Sequence, residues 1–145
     1  MIAENVYKSI YEYMQSAINE YENQYFIDNN VSVEFMQDLY GVLIQRLGFD
    51  VIKTNILGEN TISFKFVVTS FQDKFDDAEK KLDVSLYLDG IKEFIENKFT
   101  TEKPMLPTGC EVLGLKAISN GIQTNTDNSV SYKCDYEFLY KINKE

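Results

Sequence analysis

Val130-Ser-Tyr-Lys-Cys-Asp-Tyr-Glu-Phe-Leu-Tyr-Lys-Ile142 is the stretch that decides the fold class. Val130, Tyr132, Cys134, Tyr136, Phe138, Tyr140 and Ile142 fall on one face. Ser131, Lys133, Asp135, Glu137 and Lys141 fall on the other, and Leu139 is the only break. Successive side chains of an extended chain point to opposite faces, so this alternation predicts a strand with an aromatic buried face. Working back from it, Ser119 to Ser129 is a polar loop and Glu111-Val-Leu-Gly-Leu-Lys-Ala-Ile118 a second extended segment. Pro104-Met-Leu-Pro-Thr-Gly109 is the turn that admits it. The final strand and its neighbour need a layer to cover the aromatic face.

That layer is sought upstream. Leu82, Leu86, Ile91, Phe94 and Ile95 form a helical stripe despite Gly90, which costs about 1 kcal/mol in a helix interior. Ile2, Val6, Ile10, Tyr13, Met14, Ala17, Ile18 and Tyr21 recur at spacings of three and four, an amphipathic first helix. Ser32 reads as the N-cap of a second helix carrying Phe35, Met36, Leu39, Tyr40, Leu43 and Leu47 to a stop at Gly48. Phe49 to Leu57 reads as a strand, Gly58-Glu-Asn60 as a hairpin turn, and Thr61 to Ser70 as its partner with Ile62, Phe64, Phe66 and Val68 on one face. The order is ααββαββ. It predicts one α+β domain over residues 1–145, with helices packed on a mostly antiparallel four-stranded sheet.

Composition narrows the functions. At 145 residues the chain buries roughly 70% of its unfolded surface and needs no metal or disulfide staple. There is no histidine, which removes the commonest general base and metal ligand together. Ser-His-Asp and Cys-His arrangements and the usual zinc sites are excluded. The expectation is no catalytic residue, no cofactor and no metal. Net charge is −9, concentrated in residues 1–50, where eight acids face only Lys8 and Arg46. Such a field repels phosphate backbones, so direct nucleic-acid binding is not expected. It suits docking to basic protein surfaces. The opening Met-Ile-Ala-Glu-Asn has neither a basic n-region nor an apolar segment, so it reads as no signal peptide. No apolar run approaches the ~20 residues of a membrane span. Cys110 and Cys134 then read as free thiols of a reducing cytoplasm, with Cys134 a small core residue.

The remaining candidates are weak as chemistry. Asp73, Asp76, Asp77 and Glu79 cluster, but lack the spacing of a calcium loop and read as a solvated loop leading into a helix. Tyr132, Tyr136 and Tyr140 read as the inner face of a sheet, with an interface platform as the alternative. Tyr7, Tyr11, Tyr21 and Tyr25 are harder to bury together and suit an interface. Two polar loops are the best docking candidates, because binding residues concentrate on loops held by a rigid sheet. One is Phe71 to Asp77, displaying Phe71, Phe75, Asp76 and Asp77. The other is Asn120 to Ser129, displaying Asn120, Gly121, Asn125 and Asp127.

Four motifs in a fixed order carry a resemblance: Leu86-Tyr-Leu-Asp-Gly-Ile-Lys-Glu-Phe-Ile95, Leu106-Pro107-x-Gly109, Ala117-Ile-Ser-Asn-Gly121 and the Tyr132–Tyr140 strand. Over roughly residues 80–142 the chain resembles the tail-terminator or minor capsid proteins of Gram-positive phages, prophages and phage-tail-like bacteriocins. It departs from them in a less basic final strand. The resemblance implies a structural virion protein, a homo-oligomer and commonly a hexameric ring, which caps the tail tube and joins it to the neck or head. Tube, sheath and neck or connector proteins would be its partners, and the virion tail its place, after assembly in the host cytoplasm. The rival is a small acidic dimeric secretion chaperone that holds partner segments along apolar grooves.

Overall fold

The computed structural model describes residues 2–21, 30–35, 41–73, 78–118, 122–125 and 129–143, with side chains omitted for 2, 3, 73, 78–81, 122–125, 129 and 130. Two helices and six strands follow in the order α1 (Ile2–Glu20), β1 (Val31–Val33), β2 (Gly41–Thr54), β3 (Asn60–Asp73), α2 (Ala78–Thr101), β4 (Cys110–Ala117), β5 (Ile122–Asn125) and β6 (Ser129–Ile142). The strands form one mixed sheet in the order β1-β2-β3-β6-β4, with β5 also paired to β6. All pairings are antiparallel except β1 with β2. The class is α+β, as the sequence indicates, but among the described residues the sheet has six strands, one pair of them parallel, rather than four.

The alternation of the last strand holds. Cys134, Tyr136, Phe138 and Tyr140 are buried, and Tyr132 and Ile142 pack against the same core. Their partners in β3 are the expected face: Phe64 pairs with Phe138, Phe66 with Tyr136 and Val68 with Cys134. The Phe66 and Tyr136 rings stack at 5.4 Å and 7°. Helix α1 lays Val6, Ile10, Tyr13, Met14, Ala17 and Ile18 on this face. Helix α2 buries Val84, Tyr87, Leu88, Ile91 and Ile95, while Leu82 and Leu86 of the expected stripe are exposed. The true stripe runs through Val84 and Leu88, which reach the core at the same helical spacing. The helices are tied at one end, where Tyr13 Oη donates to the Glu102 carbonyl at 2.6 Å and Lys98 Nζ meets Glu20 at 2.7 Å.

Among the described residues, 32–33 and 41–48 of the expected helix from Ser32 to Gly48 are strand instead. Ser32 lies in β1, Phe35 is exposed in a bend, and Leu43 and Leu47 belong to β2; Met36, Leu39 and Tyr40 lie outside the described residues. The reason is tertiary. Val42, Leu43 and Ile44 are all buried, flanked by β1 on one side and β3 on the other. A run buried on both faces reads as neither period. Gly41 confirms the close packing, since at φ +145° a Cβ there would lie 2.5 Å from the Asn30 carbonyl oxygen. The hairpin turn after β2 begins earlier than expected, so Ile56 and Leu57 are turn residues. Asn55 Oδ1 accepts from the N–H groups of Leu57 and Glu59, both at 3.0 Å. Two expected loops shorten as well. Phe71–Asp73 extends β3, and Ile122–Asn125 of the polar loop forms β5 against Val130–Lys133.

Candidate interaction site

The ladder brings the described parts of the two expected docking loops, Phe71–Asp73 and Ile122–Asn125, to one end of the sheet. Phe71 is half-buried in β3, opposite Gly41 and Ser131. Gln72 and Asn125 both pair with Val130 of β6 from opposite sides, so β3 and β5 end at the same end of the sheet with β6 between them. Phe75, Asp76, Asp77, Asn120, Gly121 and Asp127 lie outside the described residues, and Asn125 is described by its backbone alone.

A second feature is a cleft of about 840 Å³ between the outer face of α1 and the far half of β2. Tyr7 forms its wall by stacking on Phe64 at 4.4 Å and tilting against Phe49 at 6.2 Å. Tyr11 meets Phe64 edge-on and donates its hydroxyl to Glu34 Oε1. That carboxylate oxygen also accepts from the Arg46 N–H at 3.3 Å and lies 3.9 Å from Arg46 Nε. Glu34 reaches this position from a left-handed backbone, φ 69°, with its own N–H donated to the Ile44 carbonyl. The Arg46 guanidinium sits 5.8 Å from the centre of the Tyr7 ring. Burial lifts the Tyr11 phenol far above its ordinary range and the adjoining Glu34 carboxylate reinforces the shift, so Tyr11 remains a proton donor. The polar groups of the cleft thus engage one another, and what it offers outward is apolar. Leu47, Phe49, Val51 and Ile52 are each at least half exposed, and Ile56 and Leu57 extend the surface into the turn.

The same half of β2 has a bare side. β1 pairs only with Val42–Ile44, and among the described residues no strand lies beyond Gln45–Thr54. Bulges at Leu47 and Ile52, where the register with β3 shifts, bound a regular run of Gly48 to Val51. The opposite edge of the sheet is β4, bulged at Leu113, with a regular run of Gly114 to Ala117.

Sequence reasoning marked Tyr7 and Tyr11 but missed Glu34, Arg46, Leu47 and Phe49, because it placed Glu34 and Arg46 on a helix. The available signal was the adjacent pair Val51-Ile52, which breaks strict alternation. Among the described residues no group of acids and cysteines is arranged to hold a metal ion. Neither Cys110 nor Cys134 is in a disulfide, and burial pushes both thiols up. No described helix is long and apolar enough to cross a membrane. No protein family and no curated protein matches the chain.

Proposed function

We propose that the chain is a non-enzymatic structural subunit of a phage-type tail: a tail terminator that forms a ring, most simply a hexamer, capping the tube and joining it to the neck or head. The observation that carries this reading is the apolar far half of β2. Leu47, Phe49, Val51, Ile52, Ile56 and Leu57 stand exposed beside an open sheet edge, in a chain whose core is otherwise closed around both helices. A contiguous apolar surface rimmed by polar residues marks a protein interface. The order of motifs from α2 through Leu106-Pro-Thr-Gly109 to β6 adds the choice of family. Partners are further copies of the chain, the tube protein, and sheath or neck proteins, with the loops after Asp73 and Asn125 as the surface toward the tube or neck.

Electron microscopy of isolated particles tests this. The density of a tagged chain is expected as a single ring at the head-proximal end of the tail. Density repeated along the tube would make it a tube or sheath protein. The cleft beside α1 favours a second reading, the dimeric secretion chaperone, since an apolar groove next to a free strand edge can hold an extended segment. Light scattering separates the two: a chaperone stays dimeric and co-purifies with one secreted client, whereas a terminator gives a monomer or a closed ring.

A further inference from the structure

We infer that copies of this chain associate head to tail by edge pairing, Gly48–Val51 of one copy lying antiparallel to Gly114–Ala117 of the next. The inference rests on the ring reading for where the assembly forms, and on the two sheet edges for its geometry. Direction comes first. Chain direction alternates through β2, β3, β6 and β4, so β2 and β4 run oppositely. A second copy placed with its helices on the same side therefore presents β4 antiparallel to β2. Its β5, on the same edge of β6, comes level with β1, so the two sheets must splay apart toward that end and the pairing is confined to the short run beside Gly48–Val51.

Backbone polarity comes next. Val42 N–H and the Ile44 carbonyl point to the β1 side, and Arg46 N–H points to Glu34 on that side. Carried along the register with Phe64 and Ile62, the alternation of the antiparallel ladder aims the backbone groups of Phe49 and Val51 outward too. On the other edge, the Ile118 N–H reaches the Asp135 carbonyl and Asn143 reaches Gly109, so odd-numbered residues of β6 face β4. Leu115 and Ala117, which stand opposite Phe138 and Tyr136, then point their backbone groups away from β6. Each edge offers two outward residues flanking one that faces inward.

Side chains fix a single register. Setting Phe49 against Ala117 and Val51 against Leu115 brings apolar groups together on the helix-covered face, at the mouth of the cleft walled by Tyr7. It also sets Asp50 against Lys116 on the open face, where directly opposed opposite charges stabilise a strand pair. Asp50 is exposed, and Lys116, 64% exposed, is held 3.6 Å from Glu137, already extended over that face. A slip of one residue would place every side chain on the wrong face. Because the two patches differ, the contact is heterologous and repeats until a rotation closes it into a ring.

Cysteine cross-linking tests the register. In a Cys110→Ser, Cys134→Ala background, Asp50→Cys with Lys116→Cys places two thiols on a directly opposed pair, within disulfide reach. Mild oxidation, both of concentrated purified protein and of tail particles assembled with it, is expected to give a ladder of linked oligomers, and either single cysteine no ladder. In parallel, Asp50→Lys is expected to abolish association and Lys116→Glu added to it to restore association, with thermal melts confirming that each variant is folded. Rings on tails without cross-links, or association indifferent to both reversals, would overturn the edge pairing and leave the terminator reading standing. A ladder from protein that forms no ring at a tail end would sustain the pairing and remove the terminator reading.

Discussion

Gly90 sits in the interior of α2, where alanine would be the better helix former, and its reason is Tyr21. A Cβ at Gly90 would overlap the Tyr21 hydroxyl and lie 2.8 Å from its Cζ, and Tyr21 is itself held edge-on to Tyr87 and Phe94. Gly90→Ala gains about 1 kcal/mol of helix propensity, but overpacking of this kind costs about 1–3 kcal/mol. A net loss of stability is expected in urea titration, and the same substitution is expected to become stabilising in a Tyr21→Ala background. That reversal of sign separates packing from propensity. Tyr140 is the opposite case. Its hydroxyl and that of Tyr87 are buried without a hydrogen-bond partner among the described residues, and burial pushes the Tyr140 phenol up to about 12. Tyr140→Phe removes a desolvated polar group and no bond, so stability is expected to hold or rise by about 1 kcal/mol in the same titration.

Between elements, a cross-strand triad on the open face links β3, β4 and β6. Ser63 Oγ donates to Glu137 Oε2 at 2.6 Å, and Lys116 Nζ stands 3.6 Å from Oε1. The Ser63 hydroxyl, then Lys116, hold the Glu137 carboxyl below its usual range. A depressed carboxylate adds stability above its unfolded pKa and loses it as the pH falls through the folded one. Ser63→Ala is therefore expected to cost about 2 kcal/mol near pH 7, with the difference from wild type shrinking below about pH 4. Urea titrations at several pH values measure it. The elements also differ in how far the sequence announced them. β6 was legible because its two faces meet different surroundings, an apolar core on one side and a polar, mostly part-exposed face on the other (Ser131 apart, which is buried), and that difference writes a period of two. α1 was legible for the same reason at helical period. β2 was not, since its first half is buried on both faces while its second half is exposed on both, so Leu43 and Leu47, four apart, imitated a helix by accident. β5 was hidden by polar composition, because its four residues are ordered by pairing to β6. The cleft was only half visible: Tyr7 and Tyr11 stood out, but Glu34 and Arg46 meet only once β1 and β2 are strands.

At the scale of the whole molecule, one aromatic core joins both helices to the centre of the sheet, and the margins carry what is left over for recognition. On the proposed reading, the strand ends at Asp73 and Asn125 and the two open strand edges are separate surfaces, so attachment along a tail axis and contact around a ring need not compete. The bulges in β2 have a consequence for this division. β2 is fourteen residues long, and its open half, with Leu47, Phe49, Val51 and Ile52 exposed, is an edge on which further chains can stack. Stacking into a fibril spine takes a flat segment of about six residues or more. Leu47 and Ile52 interrupt the strand so that only Gly48 to Val51 lies regular between them. Deleting both bulge residues would join Gln45-Arg46, Gly48–Val51 and Lys53-Thr54 into one regular open edge, and the shortened chain is expected to convert on standing into thioflavin-binding fibrils while the wild type stays in solution. If the deletion variant is as long-lived in solution as the parent, the bulges shape the cleft but guard nothing. If the fibrils do form, the irregularities in this strand act as the chain's insurance against amyloid.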